Sequence, residues 1–265
     1  MKNRLTICSI VGYMCFVSFI VEAAQTANTN SLCTAERYDS KGVVKQLIDT
    51  DSVELTNGQV VRLIGVQAVS RNLKAINQQF ETANWAQSQA QQILPANTEV
   101  HLVLDQQLVD LDNRLLAHMF TSSGTNVQQK ILAEGLAEAA IEQPNTLFWR
   151  CYYQAEVNAL KAQRGIWQHQ AFQPKAANLA RHSSEIIQNW QGKLDRVFHQ
   201  HGATWLVLND WLYVKVDDAV KRSVFAKTHF ENLKGQSLIV KSTVGYQKGR
   251  WQAELFEAWQ LIVEK

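Results

Sequence analysis

Residues 48–70 read IDTDSVELTNGQVVRLIGVQAVS. Two short alternating apolar runs, 52–55 and 60–66, flank Thr56-Asn57-Gly58-Gln59. Asn-Gly accepts the positive φ values that a tight turn needs, so the stretch predicts a β-hairpin. Residues 42–47 alternate in the same way and are broken from the hairpin by Asp49-Thr50-Asp51. The hairpin therefore carries an aspartate, Asp51, just before its first strand and an arginine, Arg62, inside its second.

Working outward, 80–94 is rich in Ala, Gln and Glu and is stopped by Pro95, which predicts a helix. Residues 100–104 and 115–120 read as strands. A short helix over 127–137 has Gly135 near its end, and a longer one over 148–164 is stopped by Gly165. From 168 to 189 the chain turns to Gln, Ala, Asn, His and Ser around Pro174, which reads as a linker. Strand patterns resume over 194–199, 204–208, 212–216, 223–225, 237–243 and 252–262, with a helix-like turn over 227–233 before Gly235.

The chain has 265 residues, 46% of them hydrophobic and 19% charged, with 3 Pro and 12 Gly. That composition excludes collagenous and disordered classes and leaves room for two modest domains. Formal net charge is +2, which argues against a general nucleic-acid binder with a broad basic surface. Lys2 and Arg4 precede an apolar run to about Val21, followed by Glu22-Ala23-Ala24, which predicts a signal peptide over 1–23. Its removal leaves no membrane span and implies a periplasmic or secreted protein. Two cysteines then remain, Cys33 and Cys151, and in an oxidising compartment they predict one disulfide.

The 48–70 stretch resembles the opening of the staphylococcal nuclease-like (thermonuclease) family, roughly I-D-G-D-T-V-x-L followed by R-L-x-x-V-D-T-P-E. Asp110-Leu111-Asp112-Asn113-Arg114-Leu115-Leu116-Ala117 resembles the family's D-x-x-G-R-x-L-A. Ile131 to Ala137 resembles L-x-x-x-G-L-A, and Gly165-Ile166-Trp167 its usual finish. The resemblance implies an α+β, mainly β fold: an OB-type five-stranded barrel with packed helices over 42–168. After a 24–41 lead-in, that barrel is followed by a 169–191 linker and an OB-like barrel over 192–265. Tails of this kind follow nuclease-like domains in some exported bacterial proteins, and Gly235 to Val240 partly matches their pattern.

The family hydrolyses phosphodiester bonds of DNA and RNA with Ca²⁺, two metal aspartates, a glutamate base and two phosphate arginines. Here Asp51 matches the first metal aspartate, and Arg62 and Arg114 match the arginines. Gln67 stands at the second aspartate and Ser70 at the glutamate, while Ala68 keeps a backbone carbonyl at the third ligand position. An amide brings no charge to a cation that prefers carboxylates, and losing a positioned base costs about 10²–10⁴ in rate. The nucleotide-stacking tyrosines of the family fall near Asp112 and Ile141-Glu142, none of them aromatic. With those losses, Asp51 is expected to serve as an ion-pair partner for Arg62, and Asp49, Asp110 or Asp112 for Arg114.

Residues 42–168 hold 9 basic and 12 acidic side chains, whereas 190–265 hold 11 and 8. The basic excess and aromatic density of the second region nominate Trp211, Tyr213, Lys215, Arg250 and Trp251 for nucleic acid, against the alternative that its rings are core. The sequence thus predicts an exported binding or interaction module without efficient nuclease activity and without a cofactor. Its partner would be a protein, an envelope component, or nucleic acid through the second domain. The alternative is a weak Ca²⁺-dependent phosphodiesterase using Asp51, Arg62 and Arg114.

Overall fold

The computed structural model describes residues 32–69, 77–181 and 183–264. The signal-peptide reading and Ser70 lie outside the described residues. The chain runs β1 (Ser40–Asp49), β2 (Ser52–Leu55), β3 (Val60–Leu63), β4 (Gly65–Gln67), α1 (Asn77–Ile93), β5 (Glu99–Val103), β6 (Leu115–Thr121), α2 (Val127–Ala133), β7 (Glu138–Ala140) and α3 (Trp149–Lys161). It continues with β8 (Lys175–Ala176), β9 (Ser183–Gln200), β10 (Ala203–Leu208), β11 (Leu212–Asp217), α4 (Asp218–Ser223), β12 (Ser237–Gln247), β13 (Arg250–Glu254) and β14 (Leu261–Val263).

The first five-stranded barrel closes in the order β1-β2-β3-β6-β5, with β5 returning to β1. Only β3 and β6 pair in parallel, Val61 with Leu115 and Leu63 with Ala117. Strand alternation buries Val53, Leu55, Val61 and Leu63 inside, and α1 lays Ala83, Ala86 and Ala90 against them. Full burial of each large apolar side chain contributes roughly 2 kcal/mol. Asn126 caps α2 by accepting the Gln129 N–H at 2.9 Å.

The ends of α2 and α3 meet through two glycines. Gly135 and Gly165 have φ of 64° and 60°, and the Ile166 N–H donates to the Gly135 carbonyl at 2.8 Å. A Cβ on Gly165 would stand 2.1 Å from that carbonyl oxygen. Both conformation and space therefore demand glycine at 165.

The second barrel repeats the same connectivity. Strands β9-β10-β11-β13-β12 form a ring that β12 closes on β9, and again one pair, β11 with β13, is parallel. Both barrels are thus OB-like and the fold is α+β. Strand β9 serves both halves of the ring: its first part pairs with β12 and its last part with β10. It passes a tight point at Gly192, where a Cβ would lie 2.9 Å from that of Ala177.

Three local readings change. Residues 183–191, read as linker, are strand, because β12 supplies their hydrogen-bond partners from Ser183 onward. Residue 223 ends α4 rather than opening a strand. The 252–262 strand is two strands, β13 and β14, separated by a 3₁₀ turn at Ala258–Gln260.

The barrels touch through α3. Ile239 and Ile262 of the second barrel join the first barrel's core. Tyr153 Oη donates to the Leu261 carbonyl at 3.0 Å, and the Trp149 and Trp259 rings lie 5.3 Å apart. Lys241 Nζ donates to the Ala139 carbonyl at 2.6 Å and to Glu156 at 3.0 Å. Cys33 and Cys151 form a disulfide that ties the lead-in to α3.

Candidate phosphate site and the face of the second barrel

The β1–β2 turn places Asp51 beneath the β3–β4 segment. Its side chain is 10% exposed, and each oxygen has a donor: Ser52 Oγ on Oδ1 at 2.7 Å, the Ala68 N–H on Oδ2 at 2.8 Å. Arg62 Nη2 lies 3.5 Å from Oδ2. The other end of the Arg62 guanidinium donates to the carbonyls of Val66 at 2.6 Å, Leu63 at 3.1 Å and Asp51 at 3.3 Å. Gln67 Oε1 accepts from Nη2 at 3.3 Å, so this amide oxygen turns toward a cation. The Arg62 side chain is 17% exposed.

Arg114 is held in a similar way. Its Nε pairs with Asp110 at 2.7 Å and its Nη2 with Asp112 at 3.3 Å, while Ser52 Oγ lies 3.5 Å from Nη1. Asp110 also accepts the backbone N–H groups of Asp112 and Arg114, at 3.0 and 2.9 Å. Burial pushes the Asp110 carboxyl up, but these N–H groups and the guanidinium together hold it below its ordinary value. Arg62 and Arg114 line one cleft of about 440 Å³ together with Asp110, Asp112 and Glu142. Among the described residues, no group of three or more His, Cys, Asp and Glu side chains is placed to hold a metal ion.

Asp51, Arg62, Gln67, Ala68 and Arg114 are therefore brought together. Behind them, between β6 and α3, lies a polar chain with no counterpart in the sequence reading. His118 Nδ1 meets Tyr152 Oη at 2.7 Å, and His118 Nε2 lies 3.5 Å from Asp105. Its signal was faint, because a lone histidine inside an apolar strand reads as ordinary core.

On the second barrel the five nominated residues divide. Tyr213, Lys215 and Arg250 point outward from β11 and β13 onto one face. Trp251 alternates to the opposite side, against Tyr246 and the second core. Trp211 lies in the β10–β11 turn, where Arg181 covers its ring and Ala180 accepts its N–H. Phe198 and Trp205 take the vacated places beside Tyr213; the registers set Trp205 opposite both Phe198 and Lys215. The signal was the alternation Trp205-Leu206 against Tyr213-Val214, which sends the aromatic residue of each pair outward.

A closed five-strand barrel with one parallel pair defines the OB-like class of fold. Residues 60–169 match the model of the family described as staphylococcal nuclease homologue, so the first barrel is similar to a staphylococcal nuclease domain. No curated protein matches the chain.

Proposed function

We propose that this protein is a binding module built on a nuclease fold, exported to the periplasm or beyond, without efficient phosphodiester hydrolysis. One observation carries the reading: the side chains that would grip metal and phosphate are engaged with one another. The Asp51 carboxylate is occupied by Ser52, Ala68 and Arg62, and Arg62 donates to three carbonyls. The residues present do not fit Ca²⁺, which takes about six to eight oxygens, several from carboxylates. One tied-down carboxylate beside a guanidinium is a poor donor set, and Gln67 turns its side-chain oxygen to Arg62. Without a general base at 70 and with Arg114 held by Asp110 and Asp112, charge developing on a phosphate would meet carboxylates in the cleft.

Export is supported by the basic-then-apolar start of the chain and by the disulfide. Among the described residues no helix is long and apolar enough to cross a membrane. The ligand is a protein, an envelope component or a nucleic acid. The rival reading, a weak metal-dependent phosphodiesterase on DNA or RNA, uses Asp51, Arg62 and Arg114. Incubation with single-stranded DNA and RNA, with and without Ca²⁺, separates the two. Products should not exceed those of an Arg62→Ala variant.

A further inference from the structure

The outer face of the second barrel presents aromatic rings and a guanidinium that, among the described residues, no carboxylate holds. Strand alternation sends Leu206, Val214 and Val216 into the core and Trp205, Tyr213 and Lys215 outward. The Phe198 and Trp205 rings are nearly parallel, 11° apart in plane, with centroids 6.3 Å apart. Arg250 opens β13 after the Lys248-Gly249 turn. Its guanidinium lies 4.7 Å from the Tyr213 ring centre and 5.7 Å from that of Trp205.

The charges around it are unequal in availability. Lys215 is neutralised by Asp217 and Glu254, each at 2.9 Å, and Arg196 is paired with Asp210 at 3.1 Å. Among the described residues no carboxylate pairs with Arg250. The Trp205 and Tyr213 rings are its near neighbours, and cation–π contact leaves the guanidinium charge open to an incoming anion. Trp205 and Arg250 line a cleft of about 630 Å³ that also takes in Lys248 and the half-exposed Phe256. That volume lies in the range of roughly 300–1,000 Å³ found for ligand sites.

We propose that this cleft is a binding site for single-stranded nucleic acid, with Trp205 and Phe256 stacking bases and Arg250 and Lys248 taking phosphate oxygens. Flat rings beside a planar guanidinium and a lysine suit a ligand that alternates flat rings with anions. A bare polyanion would use the cations and leave the rings idle. A duplex would hide the base faces that the rings need. The proposal rests on the reading of the chain as a binding module and narrows it to one ligand class. Its site is remote from Arg62 and Arg114 in the chain and shares no lining residue with their cleft.

The test is fluorescence anisotropy of a labelled oligothymidylate titrated with the purified protein, in EDTA so that cleavage plays no part. Saturable binding is expected, weakening with salt by about 0.7 log units per log unit of salt for each phosphate contacted. Trp205→Ala should weaken it roughly tenfold or more, and Trp205→Phe, which keeps a stacking ring and the fold, should restore most of it. Arg250→Met should weaken binding and reduce the salt slope by about 0.7. Inorganic polyphosphate should compete poorly. Absence of saturable binding, unchanged affinity in Trp205→Ala, or polyphosphate competing as well as the oligonucleotide at equal charge would each overturn the site. Because EDTA removes hydrolysis from the experiment, such a failure would not bear on whether the first barrel cleaves.

Discussion

Asp51 and Arg62 face each other at 3.5 Å, and each is also tied to backbone of the β3–β4 segment. Asp51 holds the Ala68 N–H while Arg62 holds the Val66 carbonyl, so the pair clamps the chain just past β4. In this arrangement the two residues belong to the fold as much as to any ligand.

Replacing Asp51 should therefore cost stability. Asp51→Ala removes the acceptor for Ser52 and Ala68 and leaves a mostly buried guanidinium with one fewer anion. A loss of about 2–4 kcal/mol is expected, near the lower end for breaking a buried pair because both side chains keep some solvent contact. Urea denaturation followed by circular dichroism reads this directly, and an unchanged midpoint would contradict the clamp.

Lys241 makes the corresponding contact between barrels. Its ammonium sits among Glu156, the Ala139 carbonyl and the nearby Glu138. Lys241→Ala should destabilise by about 3 kcal/mol or more, since it strands buried carboxylates. Burial pushes the Glu138 carboxyl up; Lys241 pulls it down by less and Glu156 adds to the rise. With the folded value raised, Glu138 contributes stability that is full below its ordinary value of 4.5 and is lost as pH rises from there through the folded value. Glu138→Gln should remove that decline in a urea titration across pH.

His118 gives the opposite slope. Burial pushes its imidazole down from 6.5, and Asp105 pulls it back only in part. The folded value is lowered, so its contribution is present above 6.5 and is lost as pH falls below it, by up to about 1.4 kcal/mol per pH unit. His118→Gln, which keeps a polar partner for Tyr152, should flatten the profile on that side. If the variant's acid-side slope equals that of the parent, the buried imidazole is not the source.

The disulfide spans 118 residues of sequence. Loop-closure entropy for a span of that order is worth about 4–5 kcal/mol. The double variant Cys33→Ser, Cys151→Ser should unfold at correspondingly lower urea, and reductant should shift the parent protein but not the variant. Equal midpoints with and without reductant in the parent would remove this contribution.

Much of the first barrel could be read from short-range chemistry. Asn57-Gly58 marked the hairpin, Pro95 followed the α1 helix, and Gly165 stood where the α3 helix docks. The second half was less open, because its strands depend on distant partners. Of residues 187–191 only Trp190 is buried, so their alternation is sparse, and pairing with β12 makes the segment a strand. Trp211 and Trp251 looked equivalent to Tyr213 in composition. Separating them required knowing which face each strand turns outward.

The site divided in the same way. That residue 67 is an amide, where the resemblance implies an aspartate, is visible in a single letter. That its oxygen turns to Arg62, and that Asp110 and Asp112 hold Arg114, follows only from the closed barrel, which brings the β1–β2 turn, β3 and the start of β6 together.

The central claim is that the retained arginines serve the fold and not hydrolysis. The most direct measurement is the initial rate of cleavage of labelled single-stranded DNA and RNA by the purified protein in Ca²⁺, beside Asp51→Ala and Arg114→Ala prepared identically. The account predicts no saturable rate in any of the three. Saturable, Ca²⁺-dependent turnover in the parent that disappears in Asp51→Ala, with that variant still folded by circular dichroism, would contradict it.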